Sequence, residues 1–352
     1  MARFKAVFVE HGYNSADAER AIIEKAGGEF SDCDGLPTDE TLRRCADANA
    51  IMVRRLQLTR ERIAGFKKCK MLLRYGVGVD NIDLAAATAA GIIVGHVPVY
   101  CQDEVSAHAA ALLLACIRKI VSTDQAMRAG GWDVHRGEPI FRIASKTLGI
   151  IGLGTLGQAF AKKFQGWNLR LLACDPYLDD GIAESLDVQL VSLDELLRES
   201  DYISLHVPLL PETRHLIRAE TLALMKPGAI LVNTARGPLV SGADLLQALD
   251  TGRLSCAALD VFESEPPPAD SRLRNHPRLI ISDHIAWYSE EAQIELQERA
   301  AREVVRGCTG GLPENIANPE VLEKLGRTHV WQPNHLARWQ RRRRERLAED
   351  KG

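Results

Sequence analysis

Six residues constrain this chain more than any others: Gly152-Leu153-Gly154-Thr155-Leu156-Gly157, a G-x-G-x-x-G string. Alone, such a string is common. Here an apolar run at 147–151 precedes it and a helical pattern at 158–164 follows. Strand, glycine turn and helix in that order admit little beyond a nucleotide-binding α/β unit. Gly152 permits the tight turn, Gly154 lets backbone approach a pyrophosphate, and Gly157 lets the helix pack closely on the strand. The helix N-terminus then offers free N–H groups and partial positive charge to the phosphates. A second strand pattern at 169–174 runs into Asp175, 18 residues past Gly157. An acid there meets the adenosine ribose hydroxyls and repels a 2′-phosphate. Pro176-Tyr177 bring no arginine to offset that repulsion, so NAD is expected rather than NADP.

The rest of the chain repeats the same alternation. Strand-like runs fall at 5–9, 50–53, 71–75 and 92–94, with a helical pattern at 16–26. After the glycine string, further runs fall at 202–205, 229–232, 256–259 and 279–281, and a long helix is expected at 289–307. Short apolar strands separated by helices imply parallel sheets covered on both faces. The expected fold class is therefore α/β, with two doubly wound parallel-sheet domains. Between the two series lies one long helical pattern, 103–128, whose stretch 107–117 is apolar nearly all round. A helix of that kind is buried on most sides, between domains or between subunits.

Composition narrows the function classes. At 352 residues, 46% hydrophobic and 26% charged, the chain has material for two ordinary cores. A formal charge of -3 argues against nucleic acid as partner of the whole protein. Eight cysteines form no C-x-x-C pair and have no histidine cluster beside them, so no metal site is expected. No apolar stretch reaches the 18 or so residues a membrane span needs; the best, 109–116, is too short. The opening Ala2-Arg3-Phe4-Lys5 leads straight into a strand pattern instead of a signal peptide. Free thiols without an export signal point to a cytoplasmic protein. The tail, 338–352, holds six Arg, one Lys and three acids, and reads as a solvated end or an arm toward a neighbouring subunit, with nucleic-acid or acidic-surface contact as the alternative.

Three side chains carry the chemistry. Arg236, Glu265 and His284 each stand just past a strand pattern in the second series. In open α/β sheets ligands bind outside the carboxyl ends of the strands, so the three converge on the nucleotide edge. Hydride addition to a keto carbon leaves negative charge on oxygen. A histidine can protonate that oxygen and return as base in the other direction. A carboxylate on the far ring nitrogen orients the imidazole and favours its charged form. An arginine fork holds a carboxylate and stabilises the developing charge.

These segments resemble the D-isomer-specific 2-hydroxyacid dehydrogenase family. The strings that carry the resemblance are Arg74-Tyr75-Gly76-Val77-Gly78-Val79-Asp80-Asn81-Ile82-Asp83, the glycine fingerprint, Asn233-Thr234-Ala235-Arg236-Gly237, Asp260-Val261-Phe262-Glu263-Ser264-Glu265-Pro266 and His284-Ile285-Ala286-Trp287. They stand in family order between residues 45 and 319. The resemblance implies a flavodoxin-like substrate domain from both chain ends, 1–101 and 285–337, with a Rossmann NAD-binding domain, 102–284, inserted. It implies a small 2-oxo or D-2-hydroxy acid as substrate, Arg236, Glu265 and His284 as the catalytic set, and a homodimer built on the apolar helix. It places the substrate carboxylate on Arg74 and the loop Tyr75, Gly76, Val77 and Gly78. Backbone N–H groups in such a loop make an anion nest. The cofactor would be lined by Val77, the glycine loop, Asp175, His206, Val207, Pro208, Thr213, Thr234 and Ala235, with Asp260 at the nicotinamide end.

Within the family, the stretch from His284 through Trp287-Tyr288-Ser289-Glu290 to Pro313, and Val97-Pro98 with Tyr100-Cys101 and Glu104, look like the branch holding the C-terminal-binding-protein corepressors. There Trp287 would wall the substrate pocket. An NAD(H)-sensing regulator is therefore the alternative to an enzyme. Four positions depart from the family pattern: Asp283 replaces the usual Pro before the histidine, and Pro238 and Ser241-Gly242 replace commoner choices after Arg236.

Overall fold

The computed structural model describes residues 3–327, apart from 138 and 179. The basic tail at 338–352 lies outside the described residues. The chain divides into two compact units: Met1–Tyr100 with Ser289–Gly352, and Cys101–Tyr288.

The first unit is one parallel sheet. Its strands are β1 (Phe4–Phe8), β2 (Gly28–Asp32), β3 (Ala50–Val53), β4 (Met71–Arg74) and β5 (Ile93–His96), in the order β2-β1-β3-β4-β5. That is the flavodoxin-like order. Helices α1 (Asp17–Lys25), α2 (Thr38–Cys45), α3 (Arg60–Ala64) and α4 (Leu84–Ala89) connect successive strands. Met52, Leu72, Leu73 and Val94 are fully buried, as residues of a sheet covered on both faces must be. β2 escapes the sequence reading because Gly28-Glu29-Phe30-Ser31-Asp32 has only one buried apolar side chain, as an edge strand can.

The second unit opens with α5 (Gln102–Arg118) and α6 (Ile120–Arg128). The expected single helix at 103–128 is corrected here. It breaks at Lys119, which takes φ 53°, and the two halves bend by 61°. The physical reason lies in the apolar face. α5 buries Val105, Ala109, Leu112, Leu113, Cys116 and Ile117, while α6 buries nothing, so no core contact holds the helix straight past Ile117. Nor is 107–117 buried all round within this chain, since Ala107 and Ala111 are exposed. No single helix among the described residues is long and apolar enough to cross a membrane.

Seven parallel strands follow: β6 (Thr147–Ile151), β7 (Arg170–Cys174), β8 (Gln189–Leu190), β9 (Tyr202–Leu205), β10 (Ala229–Asn233), β11 (Leu254–Leu259) and β12 (Leu279–Ile281). Their order is β12-β11-β10-β9-β6-β7-β8. Five helices link them: α7 (Thr155–Lys163), α8 (Asp180–Ser185), α9 (Leu193–Glu199), α10 (Ala219–Leu224) and α11 (Gly242–Asp250). Alternate residues feed two cores. Leu148, Ile150, Ile230 and Val232 face the α5 and α7 side, whereas Ile151, Ile203, Leu231 and Leu259 face the other. The chain runs outward from β6 through β7 and β8, then returns to β9 and runs the opposite way. The switch point between β6 and β9 is where such sheets open a crevice for ligands.

The chain then returns to the first unit. α12 (Glu290–Cys308) starts on a Ser289 cap, whose Oγ accepts the Ala292 N–H at 2.9 Å, and a short α13 (Val321–Lys324) is the last helix of the described residues. Asn318 ties this segment to β5: its Oδ1 accepts the Val94 N–H at 2.7 Å and its Nδ2 donates to the Ile92 carbonyl at 2.9 Å.

Candidate active site

All strands of the second unit are parallel, so their carboxyl ends share one edge. That edge receives Gly152 from β6, Asp175 from β7, His206 from β9, Arg236 from β10, Asp260 from β11 and His284 from β12.

The glycine loop is built for close approach. Gly152 has φ +92°, and a Cβ there would lie 2.7 Å from Val207 Cγ1 and 2.9 Å from the His206 carbonyl. A Cβ on Gly157 would lie 2.1 Å from the Gly152 carbonyl oxygen. On Gly154 it would meet nothing within 4 Å, which leaves the outer face of the loop open. Asp175 serves the loop directly. Its Oδ2 accepts the Leu153 N–H at 2.9 Å and its Oδ1 the Tyr177 N–H at 3.0 Å. Leu153 itself is buried and acts as scaffold, whereas Thr155 is exposed and Leu156 half-buried at the start of α7. His206 lies against the Phe160 ring at 4.7 Å and bonds Ser204 Oγ at 2.9 Å; loss of solvent pushes its pKa down to about 3. Thr213 closes the 208–213 turn by donating to the Pro208 carbonyl at 2.7 Å and accepting the Leu210 N–H at 2.8 Å. Thr234 Oγ1 is buried with no partner among the described residues. An open glycine cradle, a free helix start and an orphaned hydroxyl on one edge fit a dinucleotide.

Arg236 and Glu265 come from turns that lean on each other. Fully buried Asn233 folds the first turn: its Oδ1 accepts the Ala235 N–H at 3.0 Å and its Nδ2 donates to the Arg236 carbonyl at 2.8 Å. A Cβ on Gly237 would lie 1.9 Å from the Phe262 carbonyl carbon, so only glycine lets the two turns meet. Glu265 Oε1 accepts the Phe262 N–H at 3.1 Å, and Oε2 stands 2.6 Å from His284 Nδ1. A carboxylate accepts, so His284 donates from Nδ1 and its Nε2 is left for another partner. Burial alone would push Glu265 up. The His284 hydrogen bond and charge, the Phe262 N–H and the charge of Arg236 overcome it, and its pKa falls below the ordinary 4.5.

His284 holds φ +60°, a left-handed backbone that costs a non-glycine residue about 1–3 kcal/mol unless its surroundings impose it. Asp260 imposes it. The Asp260 carbonyl accepts the His284 N–H at 2.8 Å. Its carboxylate accepts the Ile285 and Ala286 N–H groups at 3.0 Å each and the Ser282 hydroxyl at 2.6 Å. The family resemblance puts Asp260 at the nicotinamide end; here its fully buried carboxylate is committed to the histidine loop. Asn233 and Ser282, which prepare these turns, were not singled out from sequence. The signal was present as short polar side chains at the last strand residue or one past it.

In the first unit, the loop after β4 carries the remaining expected residues. Gly76 takes φ +114°, and a Cβ there would lie 2.2 Å from Arg74 Nη1. The N–H groups of Gly76, Val77 and Gly78 meet no acceptor among the described residues, as an anion nest requires. His96 holds the loop from β5 through a 2.8 Å bond from Nδ1 to the Val77 carbonyl. Tyr75 corrects the expectation. Its N–H donates to the Val53 carbonyl at 2.9 Å, its ring stacks on Phe8 at 4.3 Å and its hydroxyl donates to buried Glu19 at 3.0 Å. It is 2% exposed and belongs to the core beneath the loop. Trp287, in the second unit, is half-buried and edge-on to Tyr288 at 5.5 Å.

Residues 110–286 match the family model described as D-isomer specific 2-hydroxyacid dehydrogenase, NAD binding domain. The chain is 40% identical over 310 residues to a D-3-phosphoglycerate dehydrogenase of Methanocaldococcus jannaschii, which covers 87% of this chain and 59% of that one. It is 38% identical over 259 residues to a glyoxylate reductase of Korarchaeum cryptofilum, with 73% and 78% covered. The crystal structure of a D-lactate dehydrogenase from Aquifex aeolicus complexed with NAD and lactic acid superposes with TM-score 0.80 at 27% identity, over 89% of this chain and 99% of that one. The chain thus spans 59% of the length of the phosphoglycerate dehydrogenase it matches.

Proposed function

Because the chain belongs to the D-isomer-specific 2-hydroxyacid dehydrogenase family, we propose that it interconverts a small 2-oxo acid and its D-2-hydroxy acid with NAD(H). The carrying observation is the 2.6 Å Glu265–His284 pair on the edge that also bears Arg236 and the glycine loop. Gly152, Gly154, Gly157, Asp175, Val207, Thr234 and Ala235 would hold NADH, which when bound would supply the hydride. His284, oriented from Nδ1 by Glu265, delivers the proton to the carbonyl oxygen from Nε2 and takes it back in the oxidative direction. Glu265 stays ionised and offsets the imidazolium charge. The Arg236 guanidinium holds the substrate and stabilises charge growing on its oxygen. Arg74 and the N–H groups of Gly76, Val77 and Gly78 are the proposed carboxylate site, and Trp287 the proposed pocket wall.

A second copy of the chain is the proposed partner. Ile120, Met127, Trp132, Val134 and Phe141 expose large apolar side chains after α5, with Trp132 88% exposed. Such a run on one chain marks an interaction face.

The test is NADH oxidation with a panel bracketed by the relatives' names: glyoxylate, hydroxypyruvate and phenylpyruvate in the reductive direction, and D-3-phosphoglycerate or D-lactate with NAD in the other. Turnover of at least one acid is expected. His284→Ala should lower it by about a hundredfold or more while NADH still binds. A chain that binds NADH and turns over none of the panel would instead be the NAD(H)-sensing regulator.

A further inference from the structure

We propose that His108 on α5 is a positioning residue for the proton donor, acting through Ser282 and Asp260. The inference rests on the reading of His284 as acid and base.

It starts from proton counting. Ser282 Oγ has one hydrogen and donates it to Asp260 Oδ1 at 2.6 Å. The same oxygen stands 3.0 Å from His108 Nε2. With its hydrogen committed, Ser282 can only accept, so His108 donates and carries a hydrogen on Nε2. That nitrogen is also 3.7 Å from Asp260 Oδ1, on the side where a buried carboxylate needs positive potential. His108 therefore fixes the Ser282 rotamer and, through it, the orientation of the Asp260 carboxylate.

The carboxylate in turn holds what matters for chemistry. Its two oxygens accept the Ile285 and Ala286 N–H groups, the two that directly follow the left-handed backbone of His284. The chain of contact runs from α5 to Ser282, to Asp260, to the loop that aims the imidazole. His108 stands in the apolar stretch of α5, where Ser106 is its only polar companion between Val105 and Ile117. Packing alone has no use for an imidazole there.

The experiment compares two substitutions in the full chain. His108→Gln keeps an N–H at a similar reach, whereas His108→Leu keeps bulk and removes the donor. His108→Leu should lower kcat on the best 2-oxo acid by about ten- to a hundredfold, the scale of a misaimed catalytic group. Its KM and its NADH affinity should stay within about twofold, and His108→Gln should restore kcat to within about threefold of the parent. Amide exchange at Ile285 and Ala286 should quicken in the Leu variant and not in the Gln variant. Ser282→Ala supplies an independent route: the double variant with His108→Leu should lose no more than the worse single one, because both cut one relay. Parent-like kcat and exchange in His108→Leu would overturn the proposal, as would a Gln variant as impaired as Leu or losses that multiply in the double variant. If the parent reduces no 2-oxo acid yet exchange responds as described, the positioning stands and the acid–base reading falls.

Discussion

The loop after β6 and the loop after β4 do comparable work with different materials. Each follows a parallel strand, each turns through a glycine of positive φ, and each leans on a histidine from the neighbouring strand. His206 follows β9 beside β6, and His96 ends β5 beside β4. They differ in what crowds the glycine. Gly152 faces the His206 carbonyl, and Gly157 behind it faces the Gly152 carbonyl; neither backbone group has anywhere to go. Gly76 faces the tip of Arg74, which can swing away. The nucleotide loop is thus crowded by backbone, and the proposed anion loop by the tip of one side chain. Substitutions should damage the two by different routes.

The largest effect is expected at Gly157. An alanine Cβ 2.1 Å from the Gly152 oxygen must push the loop from the helix. Overpacking of that kind costs about 1–3 kcal/mol, up to roughly a hundredfold in NADH affinity. A fluorescence titration measures it. NADH affinity equal to the parent's would mean the loop is softer than its contacts imply.

Next comes acid sensitivity, which separates the two histidines. Burial pushes His96 down to about 4, with the Arg74 charge acting the same way against the Val77 hydrogen bond. His206 is pushed down to about 3. In each case the unfolded chain binds its proton first. The stability is fully present above the ordinary 6.5 and is lost as pH falls toward the folded value. For 1%-exposed His96 the loss reaches about 2 kcal/mol near pH 5. Amide exchange in each unit should show it, and His96→Asn should flatten the slope in the first unit alone. An unchanged slope there would clear His96.

Gly76→Ala should act on substrate and not on cofactor. The added methyl displaces the Arg74 guanidinium, and one charge-assisted hydrogen bond is worth about 1.5–3 kcal/mol. KM for the 2-oxo acid should rise about tenfold with NADH affinity unchanged. Equal damage to both would show that this loop is not specific to the acid.

The same contrast explains what could be read from sequence. The nucleotide half announces itself, because a glycine turn, a helix start and an acid are chemically required at fixed offsets. Arg236, Glu265 and His284 were legible as charged groups past strand ends. In the first unit the strands were legible from apolar runs, but the site residues only through resemblance: Tyr75 sits in a motif yet points into the core toward Phe8, which spacing does not reveal. The break at Lys119 was illegible because propensity continues through it and only the end of the buried face stops the helix. Asp260 was seen, but its partners Ser282, Ile285 and Ala286 are tertiary facts.

Asp175 gives the smallest and sharpest test. Its carboxylate accepts the Leu153 and Tyr177 N–H groups, and in the proposed site its charge also opposes a 2′-phosphate. Alanine removes both and confounds them. Asp175→Asn removes the charge and keeps one acceptor oxygen, so the loop retains a tether. The change should raise NADP affinity a few-fold as repulsion disappears, since an exposed charge pair is worth about 1 kcal/mol or less. NAD affinity should fall by a similar factor through the lost ribose contact. If NAD falls and NADP does not rise, Asp175 is chiefly a strut for the glycine loop, and the crowding ascribed to Gly157 depends on it.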